Sequence, residues 1–113
     1  MRWFDLSFPE LRGRLFAVPN GAHLAGTVGQ RCAKMNRAKA EGLRVGVPDL
    51  LLLTPRHGFH GLAIEMKRIK GSKVDAEQIE WLEWLNSQGY MAVLCKGADA
   101  AMETIKNYLN LHS

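Results

Sequence analysis

Two apolar runs, PDLLLLT at residues 48–54 and the strand-like stretch at 60–67 containing GLAIEMK, stand on either side of a short polar turn, Pro55 to Gly58. Both are short and rich in aliphatic residues, as buried strands are, and the turn leaves room for little but an antiparallel hairpin. Pro48 suits the opening position of the first strand. Alternation along the second strand sends Leu62, Ile64 and Met66 to one face and Ala63, Glu65 and Lys67 to the other. A carboxylate and an ammonium therefore share one face of a strand that the apolar residues mark as buried.

Around this hairpin the chain alternates helical and strand-like segments. Residues 14–18, RLFAV, read as a strand ended by Pro19-Asn20-Gly21. A helix follows, with capping-box spacing from Thr27 to Gln30 and a stop at Gly42. Its Val28, Cys32 and Met35 form an apolar stripe at i, i+4, i+7. DAEQIEWLEWLNSQ at 75–88 predicts a helix with Ile79, Leu82 and Leu85 toward the core, ended by Gly89; YMAVLC is another strand, and a last amphipathic helix is built on Met102, Ile105 and Leu109. The order strand, helix, strand, strand, helix, strand, helix predicts an α/β domain with a central mixed β-sheet flanked by helices. The 113 residues suffice for one core. No apolar run reaches the ~20 residues of a membrane span, and the N-terminus lacks the pattern of a signal peptide, so a cytoplasmic protein with no membrane partner is expected. Cys32 and Cys95 read as reduced, buried thiols.

The charge is uneven. Residues 1–64 carry nine Lys/Arg against four Asp/Glu, residues 65–113 six against seven. One face can thus be positive enough to attract a polyanion. Arg31, Lys34 and Arg37 fall off the apolar stripe of their helix at intervals of three, as a solvated face or a phosphate-contacting one. Lys39, Arg44, Arg68, Lys70 and Lys73 flank the acidic residues in sequence and are further candidates for phosphate contacts.

The hairpin brings Asp49, at the start of one strand, near Glu65 and Lys67 at the end of the other. Two carboxylates converging at strand ends suit a hard divalent cation, with the Met66 main-chain carbonyl as a further oxygen. A lysine beside such a cation can orient or deprotonate a water and offset charge on a phosphate. The same residues also read as a structural buried ion pair, although such pairs add little stability. The histidines, His23, His57, His60 and His112, show no zinc-like spacing with the cysteines. Trp81 and Trp84, three apart, suggest core or dimer packing.

In sequence, LFAVPNGAHLAG, RAKAEGLRVGVPD, GVPDLLLL, GLAIEMKRIKG and EQIEWLEWLNSQGYMAVLCKGADAAMETIKNYL resemble, in order and spacing, the virus-type replication-repair nuclease (VRR-NUC) domain over about residues 8–110. That family is a branch of the PD-(D/E)xK phosphodiesterase superfamily. The resemblance implies a restriction-endonuclease-like core and Mg2+- or Mn2+-dependent endonucleolytic cleavage of DNA. It further implies a homodimer of phage or bacterial origin, with branched DNA such as four-way junctions among the family's substrates. Carried onto this chain, it makes Asp49 and Glu65 the metal-binding acids, the Met66 carbonyl a main-chain ligand, Lys67 the catalytic lysine, and Gln78 a motif glutamine that orients the site. The family opens with a longer helix bearing a glutamate for the metal site; here that helix reads as short or missing, with Glu10 the only early glutamate. This departure motivates the alternative of a catalytically inactive nuclease-fold protein that binds DNA.

Overall fold

The computed structural model describes residues 1–19 and 27–110. The Asn20-Gly21 part of the expected turn, with His23 and His112, lies outside them. The elements in order are α1 (Arg2–Ser7), a 3₁₀ turn (Pro9–Leu11), β1 (Leu15–Ala17), α2 (Val28–Ala40), β2 (Leu50–Leu52), β3 (Leu62–Lys67), α3 (Ala76–Ser87), β4 (Met91–Lys96) and α4 (Ala98–Leu109).

The four strands form one sheet in sequence order. β1 pairs antiparallel with β2, Leu15 opposite Leu52, and β2 antiparallel with β3, Leu50 opposite Ile64. The reversal between β2 and β3 is tight: Arg56 and Phe59 exchange backbone hydrogen bonds across His57 (φ 50°) and Gly58 (φ 84°), the left-handed pair that a two-residue hairpin turn requires. β4 then lies parallel to β3, with Leu62 opposite Met91, because α3 carries the chain back across one face.

Helices cover both faces. Leu62 and Ile64 join Leu15, Leu52, Cys95, Ala101, Ile105 and Tyr108 in the larger core, on the α4 side. Ala63, from the opposite face of the same strand, packs with Leu85 and Ala92 and with the partly buried Trp81 and Leu82 of α3. The Tyr108 hydroxyl donates to the Thr54 carbonyl at 2.7 Å, which satisfies a buried polar group and ties α4 to the end of β2.

Several local expectations hold. Thr27 and Gln30 make both hydrogen bonds of the capping box, at 2.9 and 3.1 Å, and α2 ends two residues before Gly42, whose φ is 114°. α3 likewise ends ahead of Gly89 at φ 90°. Burial departs from expectation in three places. α2 contains no buried residue: Val28 and Cys32 are exposed and Met35 half-buried, so Cys32 is not a core thiol, whereas Cys95 is. Ile79 is 44% exposed because α3 turns Leu85, Leu82 and Trp81 toward the sheet instead. Residues Arg2–Ser7 form a helix that inserts Phe4 into the larger core, with Trp3, Phe8 and Leu11 packed beside it. The Asp5 carboxylate accepts from the Gly13 N–H at 2.9 Å, closing the segment that leads into β1.

One glycine sets the approach of the β2 strand start to α3. Gly46 has φ 90°, and a Cβ there would lie 2.7 Å from the Glu77 carbonyl carbon. A side chain would be strained by conformation and would also displace backbone. Gly46→Ala is expected to cost about 2–4 kcal/mol, read as a lower midpoint in urea denaturation with an unchanged slope.

Candidate active site

The site is built at the sheet end where β3 and β4 finish and β2 begins. Asp49 stands one residue before the first paired residue of β2, which places it opposite Glu65. Its backbone carbonyl accepts from the Val18 N–H at 2.8 Å, and its Oδ2 accepts from the Met66 N–H at 2.8 Å. In place of a further ladder bond, the carboxylate itself thus closes the β2–β3 pairing. A strand residue turns its N–H and C=O toward the same neighbour, so the Met66 carbonyl is directed to the Asp49 side as well.

Glu65 shares the α3 face with Ala63 and Lys67, as alternation requires, and is 2% exposed. Its Oε1 accepts from Gln78 Nε2 at 2.8 Å and lies 3.8 Å from Lys67 Nζ. Its Oε2 is buried with no hydrogen-bond donor. Burial, and after it the neighbouring Asp49 charge, push the Glu65 carboxyl from 4.5 up to about 7, against the pull of Lys67. A buried carboxylate beside a second one, with one oxygen lacking a donor, leaves a place for positive charge.

Gln78 works in two directions. Its Oε1 accepts from the Asp75 N–H at 3.0 Å at the start of α3, while its Nε2 donates to Glu65. The cap thereby fixes which end of the amide faces the site. Gln78 bonds the acid and not the lysine, so its role in this structure is to hold Glu65. The capping half was readable from the Asp75–Gln78 spacing; the other half needs the sheet under α3.

Asp49, Glu65, Met66, Lys67 and Gln78 are therefore brought together. Among the described residues, no group of three or more His, Cys, Asp and Glu converges, and Glu10 is exposed in the 3₁₀ turn. The donor set nonetheless fits a hard cation: two adjacent carboxylates, one with a buried oxygen lacking a donor, and a strand carbonyl directed to the same side. The basic candidates are exposed throughout: Arg31, Lys34, Arg37 and Lys39 on α2, Arg44 after it, and Arg68, Lys70 and Lys73 just beyond β3. Arg44 is partly occupied, its guanidinium donating to the Lys39 and Leu43 carbonyls at 3.3 and 3.2 Å, where it closes the C-terminus of α2. Trp81 packs on the α3 side of the sheet, with Trp84 edge-on to it at 5.7 Å and more than half exposed.

With helices on both faces of a mixed sheet and this polar cluster at its open end, the molecule falls in the class of nuclease-type α/β folds. The comparison with known families is more specific: the VRR-NUC domain profile matches residues 7–99, and the chain belongs to that family. A solved structure of a VRR_NUC domain protein is similar to it, with a TM-score of 0.72 and 29% sequence identity over 88% of this chain and 70% of that one. No curated protein matches.

Proposed function

We propose that this protein is a divalent-metal-dependent DNA endonuclease, selective for branched DNA such as four-way junctions and active as a homodimer. The observation that carries the reading is Glu65, a buried carboxylate beside Asp49 whose Oε2 has no donor while its Oε1 is held by Gln78. Stability does not account for such an arrangement, since an acid with an unsatisfied buried oxygen destabilises a fold.

Asp49, Glu65 and the Met66 carbonyl would hold Mg2+ or Mn2+, which when bound supplies charge neutralisation at the phosphate and a more acidic water. Gln78 keeps one oxygen of Glu65 engaged and so leaves the other for the cation. Lys67 follows on the same face, its side chain only 13% exposed and so little screened by solvent, suited to orient the attacking water, take its proton and offset charge on the phosphate. Exposed cations on α2 and after β3 support contacts to the DNA backbone, which favour shape over base sequence. The exposed apolar positions of α2 and Trp84 of α3 offer surface for pairing, and a two-fold pair would present two sites to the two strands of a junction.

The test is cleavage of labelled four-way junction, flap, duplex and single-stranded DNA in Mn2+ or EDTA. Cutting should require the metal and favour the junction, and Lys67→Ala should lower the rate by about 10²–10⁴-fold with binding retained. A second reading, a DNA-binding protein without turnover, draws on the absence, among the described residues, of a group of three or more metal-ligating side chains. Junction binding with no cleavage in either condition would establish it in place of the first.

A further inference from the structure

One exposed aliphatic side chain on a protein surface calls for no explanation; Ile69 is distinguished by its setting. It is 71% exposed and lies two residues beyond Lys67, in the segment that leaves β3. Arg68, Lys70 and Lys73 around it are all exposed. The segment has a defined shape: the Ser72 hydroxyl donates to the Arg68 carbonyl at 2.9 Å, and Gly71 turns the chain at φ 75°.

The longer branch of the side chain is also backed. A Cβ at Gly97 would come 3.0 and 3.1 Å from Ile69 Cγ1 and Cδ1, so the glycine ahead of α4 makes room for the isoleucine to lie against it. The Gly97 N–H donates to the Lys67 carbonyl at 2.9 Å, which ties that support to the end of β3. An apolar, β-branched side chain is therefore backed along its longer branch, exposed over the rest of its surface, and flanked in sequence by exposed cations, at the same sheet end as Asp49, Glu65 and Lys67.

We infer that Ile69 is a wedge that enters an opened base step of the DNA beside the candidate active site, while Arg68, Lys70 and Lys73 take the flanking phosphates. This rests on the nuclease reading and adds to it a residue that selects opened DNA. β-Branching limits the rotamers lost on insertion. Apolar side chains are the ones that replace a stacked neighbour, and the unstacking they demand is smallest where pairing is already interrupted, as at a branch point. The cations supply salt-dependent affinity without sequence preference.

The test uses the full chain in EDTA with a four-way junction carrying 2-aminopurine at the branch point, whose fluorescence rises on unstacking. Wild type and Ile69→Leu should raise the signal. Ile69→Ala should bind within about threefold of wild type, because the phosphate contacts remain, and leave the signal flat. The double variant Lys70→Ala/Lys73→Ala should bind more weakly and with a shallower salt dependence. In Mn2+, Ile69→Ala should cut a fully paired junction at least about tenfold more slowly, yet recover on one with mismatches at the branch, where the opening is already made. A fluorescence rise with Ile69→Ala equal to that of wild type overturns the wedge, whatever the cleavage result. A flat signal from wild type bound to the junction overturns it as well. The wild-type rise lost in Ile69→Ala, with no cleavage in Mn2+, upholds the wedge and removes the nuclease activity alone.

Discussion

Glu65→Gln is expected to yield a protein more stable than wild type in EDTA above pH 7 and without nuclease activity. The wild-type carboxyl is 2% exposed, and its value of about 7 stands above the ordinary 4.5 through burial and the Asp49 charge. Between those values the folded state holds a proton that the unfolded state has released. Stability from this group is therefore fully present below about pH 4.5 and is lost as pH rises through about 7, by at most about 3 kcal/mol. The substitution removes the charge while its oxygen can still accept from Gln78, and its amide can donate toward Asp49. The variant should accordingly lose the decline between pH 5 and 8 and gain a Tm roughly 5 °C or more above wild type at pH 8. Mn2+ should stabilise wild type at pH 8, where Glu65 is already largely ionised and a cation offsets its buried charge, and leave the variant unmoved. Thermal melts at pH 5 and 8, with EDTA and with Mn2+, check this. A variant less stable than wild type at pH 8 in EDTA would show that the carboxylate serves the fold and not the cation.

Phe4→Ala should be the most damaging substitution for folding at a position far from the candidate site in sequence. Phe4 is completely buried among Leu15, Leu52, Ile64 and Tyr108, with Phe8 at a ring separation of 5.3 Å. Removing the ring opens a cavity and undocks α1, at about 3–5 kcal/mol, a large share of the stability of a domain of this size. Leu6, in the same helix but 71% exposed, is the control, and Leu6→Ala should stay within about 0.5 kcal/mol of wild type. Urea denaturation of the three proteins gives the comparison. Equal effects at the two positions would mean that α1 does not dock as described.

The expected mixed sheet between helices, the hairpin and the face shared by Glu65 and Lys67 were legible because each follows from a short-range rule. Period-two alternation sets the faces of β3, and turn chemistry between two apolar runs sets the pairing of β2 with β3. The Thr27–Gln30 box and the glycines at 42 and 89 set helix ends within one or two residues of themselves. None of these needs knowledge of a partner element. The Val28, Cys32, Met35 stripe shows where such reasoning stops: it marked a helix correctly and its burial incorrectly, because helical period depends on the chain alone and burial depends on what lies opposite. Ile79 fails for the same reason. The opening helix reads in sequence as short or missing because six residues carry too little periodicity to announce one, and the docking of α1 comes from the contacts of Phe4 with a core assembled from β1 to α4.

The chain's local chemistry thus determined which residues could form a hard-cation site and on which strand face they stand. Only the tertiary structure decided that Asp49 closes the β2–β3 pairing through the Met66 N–H, that Gln78 spans from the α3 cap to Glu65, and that Ile69 rests against Gly97. Those relations join positions 13 to 28 residues apart, and the raised Glu65 carboxyl follows from the burial they create. Proximity and desolvation are properties of the packed sheet and helices, and no spacing in the sequence encodes them.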